Sequence, residues 1–259
     1  MHKEAKPHSS LSLSTCLRAV VGFTLLASIS LPYILLTALL LPWRGLRIRT
    51  GNLYGKVVGP LMCRVAGTRV VVSNKKRINN SKPAIYIMNH TSQIDVLVGM
   101  GLCPMGGCGV AKREIRRIPF FGMAYLLSGH LLIDRSNREK SIASLVSIGE
   151  TVRKHKLSIW IWPEGTRSSN GRLQSFKKGF AHTAIATGLP IVPVVIHDAH
   201  LRWPKHTLRL VPGIAHVDIL PAIDTSEWRT ETLVDHIQDV RQVFIDTLAP
   251  HQRPSPVSE

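Results

Sequence analysis

From Ala19 to Pro42 the chain carries no charged residue, and this run limits its possible architectures more than any other feature. A helix needs about 20 mainly apolar residues to cross a hydrocarbon core. The apolar region of a signal peptide is shorter, about 7–15 residues, and ends at a small-residue cleavage site. This run is longer and closes on Pro42, Trp43 and Arg44, an aromatic and a cation suited to a membrane interface. It is therefore expected to be retained as an anchor. Pro32 lies near its middle and removes a helical hydrogen bond, so a kink or a re-entrant hairpin competes with a straight crossing. Lys3, Lys6 and Arg18 precede the run, and Arg44, Arg47, Arg49 and Lys56 follow it. That near-symmetry weakens an orientation argument from positive charge. A second amphipathic stretch, Leu53–Val65, either lies along the membrane surface or packs on the folded domain.

Charge narrows the partners. Lys and Arg number 33 against 16 Asp and Glu, a formal charge of +17. Such a surface suits nucleic acid, an anionic membrane face, or phosphorylated and acidic substrates. The apolar run favours the membrane, with the folded domain expected on the cytoplasmic side of the inner membrane. Cys16, Cys63, Cys103 and Cys108 form no CxxC pair and have no matching histidine spacing. No zinc site or other metal is expected, and reduced thiols are.

Beyond residue 50 short apolar runs alternate with helix-length segments. Strands are expected at Arg69–Val72, Ala84–Met88, Gly109–Ala111, Leu131–Ile133, Ser158–Trp162, Ile191–Ile196, Leu208–Val211 and His216–Ile219. Helices are expected at Asp95–Leu102, Phe121–Leu127, Arg138–His155, Lys178–Thr187 and Thr230–Leu248. Strands apolar on both faces and separated by helices imply an α/β fold with a largely buried, mostly parallel sheet flanked by helices. The simplest partition is a polar tail (1–18), an anchor with an interfacial segment (19–66), one catalytic domain (67–249) and a flexible, proline-containing tail (250–259).

Four segments carry the chemistry. In Asn89-His90-Thr91-Ser92-Gln93-Ile94-Asp95, His90 sits where a strand gives way to a helix. On one continuous helix, His90 and Asp95 would point about 140° apart. They meet only if His90 lies in the turn and Asp95 in the first helical turn. The carboxylate then fixes the imidazole tautomer and leaves the other nitrogen as a general base. Ser92 and Asp95 also resemble a capping box, a role compatible with the first. The second segment, Gly129–Arg135, is an apolar strand entering a charged turn that ends in Asp134 and Arg135. The third, Trp162-Pro163-Glu164-Gly165-Thr166-Arg167-Ser168, follows another strand. Glycine permits close backbone approach, and arginine offers a fork that matches phosphate oxygens. Ligands in α/β sheets usually sit at strand ends. The fourth segment, Ile191–Ile196, has no side chain able to do chemistry, and its Pro193 argues for an edge or a bulge.

Together these segments resemble the four blocks of the glycerolipid acyltransferase family, in order and at similar spacing, over roughly residues 60–220. The resemblance is to its 1-acylglycerol-3-phosphate branch, with the basic stretch Lys112-Arg113-Glu114 before Ile118-Pro119 also fitting. Trp162 stands where phenylalanine is usual. The resemblance implies a glycerol-3-phosphate acyltransferase-like fold. It further implies that His90, held by Asp95, takes the proton from a glycerol hydroxyl of lysophosphatidic acid. That oxygen attacks an acyl thioester carried on coenzyme A or acyl carrier protein, giving phosphatidic acid. These carriers are co-substrates, and no cofactor is implied. No GxSxG nucleophile elbow is present, so no acyl-enzyme is required. Arg135 and Arg167 would grip the acceptor phosphate, with Glu164, Gly165 and Thr166 shaping that pocket. Lys112 would serve substrate charge or the developing oxyanion. Rival readings are another lysolipid acceptor such as a lyso-ornithine lipid, a hydrolase that activates water with His90 and Asp95, and a membrane-tethered nucleic-acid binder. Aromatics make up only 6% and no reading motif is present, which counts against nucleic acid.

Overall fold

The computed structural model describes residues 12–133, 148–205 and 207–255. Two long helices come first, α1 (Leu13–Leu39) and α2 (Arg44–Val65). They are followed by β1 (Thr68–Ser73), α3 (Lys76–Asn80), β2 (Ile85–Met88), α4 (Ile94–Leu102) and β3 (Gly107–Lys112). A 3-10 turn at Arg113–Arg117 leads to α5 (Phe121–Leu127) and β4 (Leu131–Ile133). Helical residues 148–155 (α6) precede β5 (Ser158–Ile161) and α7 (Gly179–Thr187). The chain ends with β6 (Ile191–Ile196), α8 (Ala199–Arg202), β7 (Gly213–Ile219) and α9 (Leu233–Thr247).

The seven strands of the described residues form one sheet in the order β1-β7-β6-β2-β5-β3-β4. Every pairing is parallel except β6 with β7. Side chains alternate between two cores. Ile85, Ile87, Ile159 and Ile191 join Phe180 of α7 and Phe244 of α9. Tyr86, Met88, Trp160 and Val192 join Ile94 and Val98 of α4. A parallel sheet covered by helices on both faces requires strands apolar throughout, and β2, β5 and β6 are buried at every position.

Several expectations need revision. Leu208–Val211 is not a strand: 207–209 are exposed and 210–211 half-buried, and the edge of the sheet is filled by β7 pairing with β1 from Gly213. Pro193 does not mark an edge, since β6 lies between β7 and β2. It sits instead at a register slip. The β6–β7 ladder pairs Val194 with Ile219, whereas the next bridge pairs Ile191 with Ile223, one residue further than regular spacing would allow. A proline fits there because the bulge relieves the ladder of one donor. The expected helix Arg138–His155 is seen over 148–155, and its earlier part lies outside the described residues. The tail expected to fray from Pro250 begins with a 3-10 turn at Pro250–Gln252. Gln252 is buried there, and its carbonyl accepts from the Leu173 amide at 2.8 Å.

The N-terminal helices form a hairpin. α1 runs through Pro32, and the chain reverses at residues 40–43. Tyr33 and Tyr54 stack at 4.3 Å, Ser30 bonds Tyr54 at 2.7 Å, and Tyr33 bonds Ser128 beyond α5. α2 packs on α4 through close helix contact. A Cβ added at Gly55 would lie 2.8 Å from the Met100 carbonyl, and one at Gly59 would lie 2.4 Å from that of Leu97. The outward side of α1 is apolar, with Leu13, Leu17, Val20, Phe23, Leu35 and Leu39 exposed.

Candidate active site

β2, β5, β3 and β4 are parallel, so their C-terminal ends share one edge of the sheet. His90 follows β2 there. Asn89 prepares its position: buried, it donates from Nδ2 to the Ile196 carbonyl at 2.9 Å and accepts from the Ile196 amide at 2.8 Å. This pair of bonds ties the end of β2 to the end of β6.

Asp95 lies in the first turn of α4 and is fully buried. Its Oδ2 stands 3.0 Å from Nδ1 of His90 and also accepts the amides of Thr91 and Ser92. The orienting and capping roles expected of this carboxylate therefore coexist in one oxygen. With Nδ1 engaged, Nε2 of His90 is left as the nitrogen able to take a proton. Trp162 covers the imidazole, with ring centroids 5.2 Å apart.

The third segment holds the first in place. Oε1 of the buried Glu164 accepts the His90 amide at 2.6 Å, and Oε2 accepts the Gln174 amide at 3.0 Å. The Ser168 amide donates to the His90 carbonyl at 2.8 Å. Glu164 thus shapes the site by binding backbone, and its carboxyl group is spent before any ligand arrives. Burial pushes its pKa up from 4.5 to about 8, although both amides favour the charged form. Gly165 turns the chain at φ +72°, a conformation that favours glycine.

A cavity of about 330 Å³ opens beside His90 and is lined in part by Gly165, Thr166 and Arg167. Its remaining wall is mainly apolar and comes from α2, α4, α5, β3 and β5, with Met100, Tyr125 and Trp160 among its members. Nε1 of Trp160 and of Trp162 are buried donors without a partner among the described residues. His130 also lines it, accepting the Gly109 amide on Nδ1 at 3.3 Å. Burial, helped by Arg44, drives the pKa of His130 down to about 4, so its ring is neutral.

Of the residues singled out from sequence, His90, Asp95, Glu164, Gly165, Thr166 and Arg167 converge here. Lys112 ends β3 at the same sheet edge. β4 ends there too, but Arg135, two residues beyond it, lies outside the described residues. Asn89, His130, Trp160 and Tyr125 were not foreseen as site residues. The polar ones lay within or beside the quoted segments, whereas the wall from α2, α4 and α5 becomes visible only once the helices are packed.

A family model described as Acyltransferase matches residues 69–197. A 1-acyl-sn-glycerol-3-phosphate acyltransferase of Limnanthes douglasii is 38% identical over 242 residues, covering 93% of this chain and 85% of that one. The enzyme of that name from Escherichia coli K12 is 33% identical over 199 residues, covering 77% and 78%. In three dimensions the chain resembles the 1-acyl-sn-glycerophosphate (LPA) acyltransferase of Thermotoga maritima, with a TM-score of 0.73 at 22% identity over 90% of this chain and 95% of that one. Identity sustained over most of both chains, with a histidine–aspartate pair at a strand end of the shared fold, makes this chain a member of the 1-acyl-sn-glycerol-3-phosphate acyltransferase family.

Proposed function

We propose that the protein transfers a fatty acyl group from an acyl thioester to the free hydroxyl of 1-acylglycerol-3-phosphate, making phosphatidic acid. The observation that carries this reading is His90 with Nδ1 held by Asp95, facing a largely apolar cavity whose rim carries Arg167. Nε2 takes the hydroxyl proton as the oxygen attacks the thioester carbonyl. The C–S bond then breaks, and the thiolate leaves with the proton carried by His90. Arg167 offers the acceptor phosphate a charge-assisted contact, while the acyl chain occupies the apolar wall. Lys112, at the end of β3 on the same edge, and Arg135, outside the described residues, are assigned to substrate charge on sequence grounds. The thioester is carried on coenzyme A or acyl carrier protein, and the basic surface suits either acidic carrier.

The exposed apolar side of α1 is the membrane contact in this reading. The other face of α1 is tied to α2 and Ser128, so the hairpin and the domain would enter the interface together, with the catalytic domain on the cytoplasmic side.

The reading is tested by supplying a labelled acyl thioester, in parallel on coenzyme A and on acyl carrier protein, with a panel of lysolipids in detergent micelles. Phosphatidic acid is expected to form fastest. Faster transfer to a lyso-ornithine lipid, or thioester hydrolysis independent of any acceptor, would displace it.

A further inference from the structure

A second groove, of about 810 Å³, is bounded by α2, α4 and β1. It shares the α2–α4 pair with the catalytic cavity but uses different residues: Pro60, Cys63, Leu97 and Gly101 here, against Gly51, Gly55, Gly99 and Met100 there. Its floor is apolar, with Val70 and Val72 of β1 facing Leu97, Val98 and Leu102 of α4. Among the described residues four cations line it, Arg18, Arg64, Arg69 and Lys75, and no acidic residue does. Thr68 also lines it. That residue is 2% exposed, and its hydroxyl has no partner among the described residues.

The position of the groove selects among anions. Arg18 is the last cation before the charge-free run of α1, and its Nη1 holds the Val65 carbonyl at the end of α2 at 2.9 Å. The groove therefore opens where the charge-free run of the anchoring helix begins. That is the depth at which a lipid phosphate meets its acyl chains. A free anion would use the cations and leave the apolar floor wet. An amphiphile with a phosphate at one end satisfies both, and the buried hydroxyl of Thr68 finds an acceptor.

We propose that this groove is a binding site, separate from the catalytic cavity, for an anionic glycerophospholipid. Its headgroup phosphate lies among Arg18, Arg64, Arg69 and Lys75, and its acyl chains lie along Val70, Val72 and Leu97. The proposal rests on membrane contact by α1 and not on which lysolipid is acylated.

The test is native mass spectrometry of the full chain released from detergent, titrated with dioctanoyl phosphatidylglycerol or dioctanoyl phosphatidylcholine. One saturable phosphatidylglycerol per chain is expected, with phosphatidylcholine at least tenfold weaker. Arg69→Ala/Lys75→Ala should weaken phosphatidylglycerol at least tenfold and Thr68→Val about threefold. Lys154→Ala/Arg229→Ala, with equal charge loss elsewhere, should leave binding unchanged. Acyl transfer activity serves as the independent readout that each variant is folded, and its absence in the native chain would refute the proposed reaction without touching this site. If a groove variant fails to fold, hydrogen–deuterium exchange on the native chain replaces it, with protection of residues 68–75 expected on adding phosphatidylglycerol. Equal weakening by the control pair, binding indifferent to the groove variants, no protection of 68–75, or displacement of the lipid by millimolar inorganic phosphate would each overturn the proposal.

Discussion

At the scale of single residues, one oxygen of Asp95 serves three donors: the His90 ring and two amides of the turn that carries His90. Asp95→Asn keeps the shape but brings an NH2 group toward donors that need an acceptor. It should lower kcat on the order of 10²–10⁴-fold with little change in KM, as steady-state kinetics on the folded variant would show. Glu164 gives a pH prediction of definite sign. Its pKa is raised from 4.5 to about 8 on folding, so below pH 4.5 folded and unfolded chains hold the same proton. Between 4.5 and 8 only the folded chain keeps it, and this contribution to stability is lost as pH rises through that window. Melting curves from pH 5 to 9 should show the native chain losing stability relative to Glu164→Gln as pH increases; a gap independent of pH would refute the shift. The His90–Asp95 pairing was legible because five residues of spacing across a strand-to-helix turn admit one meeting geometry. The role of Glu164 was not, because its partners are backbone amides, one of them 74 positions away in the chain.

At the scale of elements, α2 and α4 build the wall between the catalytic cavity and the second groove, and they do so by the absence of side chains. Gly55 and Gly59 let α2 approach the carbonyls of Met100 and Leu97. Gly59→Ala should push the helices apart and cost about 1–3 kcal/mol by overpacking, read from the denaturation midpoint in detergent. Acyl transfer should fall as well, because both helices line the cavity. Sequence periodicity found α5, β4 and β6 at their observed bounds, and for the two strands this is because uninterrupted apolar runs of those lengths have one place in a covered sheet. It failed at Leu208–Val211, where an apolar run has no neighbouring strand to pair with. It also left open whether Leu53–Val65 meets the membrane or the domain. The helix containing it packs on α4, a contact set by glycines that carry no hydrophobic signal.

At the scale of the whole molecule, the sheet gathers four strand ends at one edge, and the chain delivers His90, Glu164 and Arg167 there from segments far apart in sequence. The hairpin of α1 and α2 brings an exposed apolar face to the same body, so the cavity that would hold an acyl chain and the surface that would meet lipid belong to one unit. In the proposed membrane setting the excess of cations would draw that unit toward anionic headgroups, and the groove beside β1 would give part of that charge a defined ligand. The parallel sheet and the long apolar helix α1 were readable from the sequence. The two cavities were not, because each is made by helix packing and not by a motif.

The central claim is that His90, held by Asp95, is the general base of acyl transfer to 1-acylglycerol-3-phosphate. The most direct measurement is phosphatidic acid formation from a labelled acyl thioester by the native chain and by His90→Ala in the same micelles, with circular dichroism and melting curves establishing that both are folded. The account predicts turnover by the native chain and a loss of about 10²–10⁴-fold in the variant. Turnover by folded His90→Ala at a rate near the native one would contradict it.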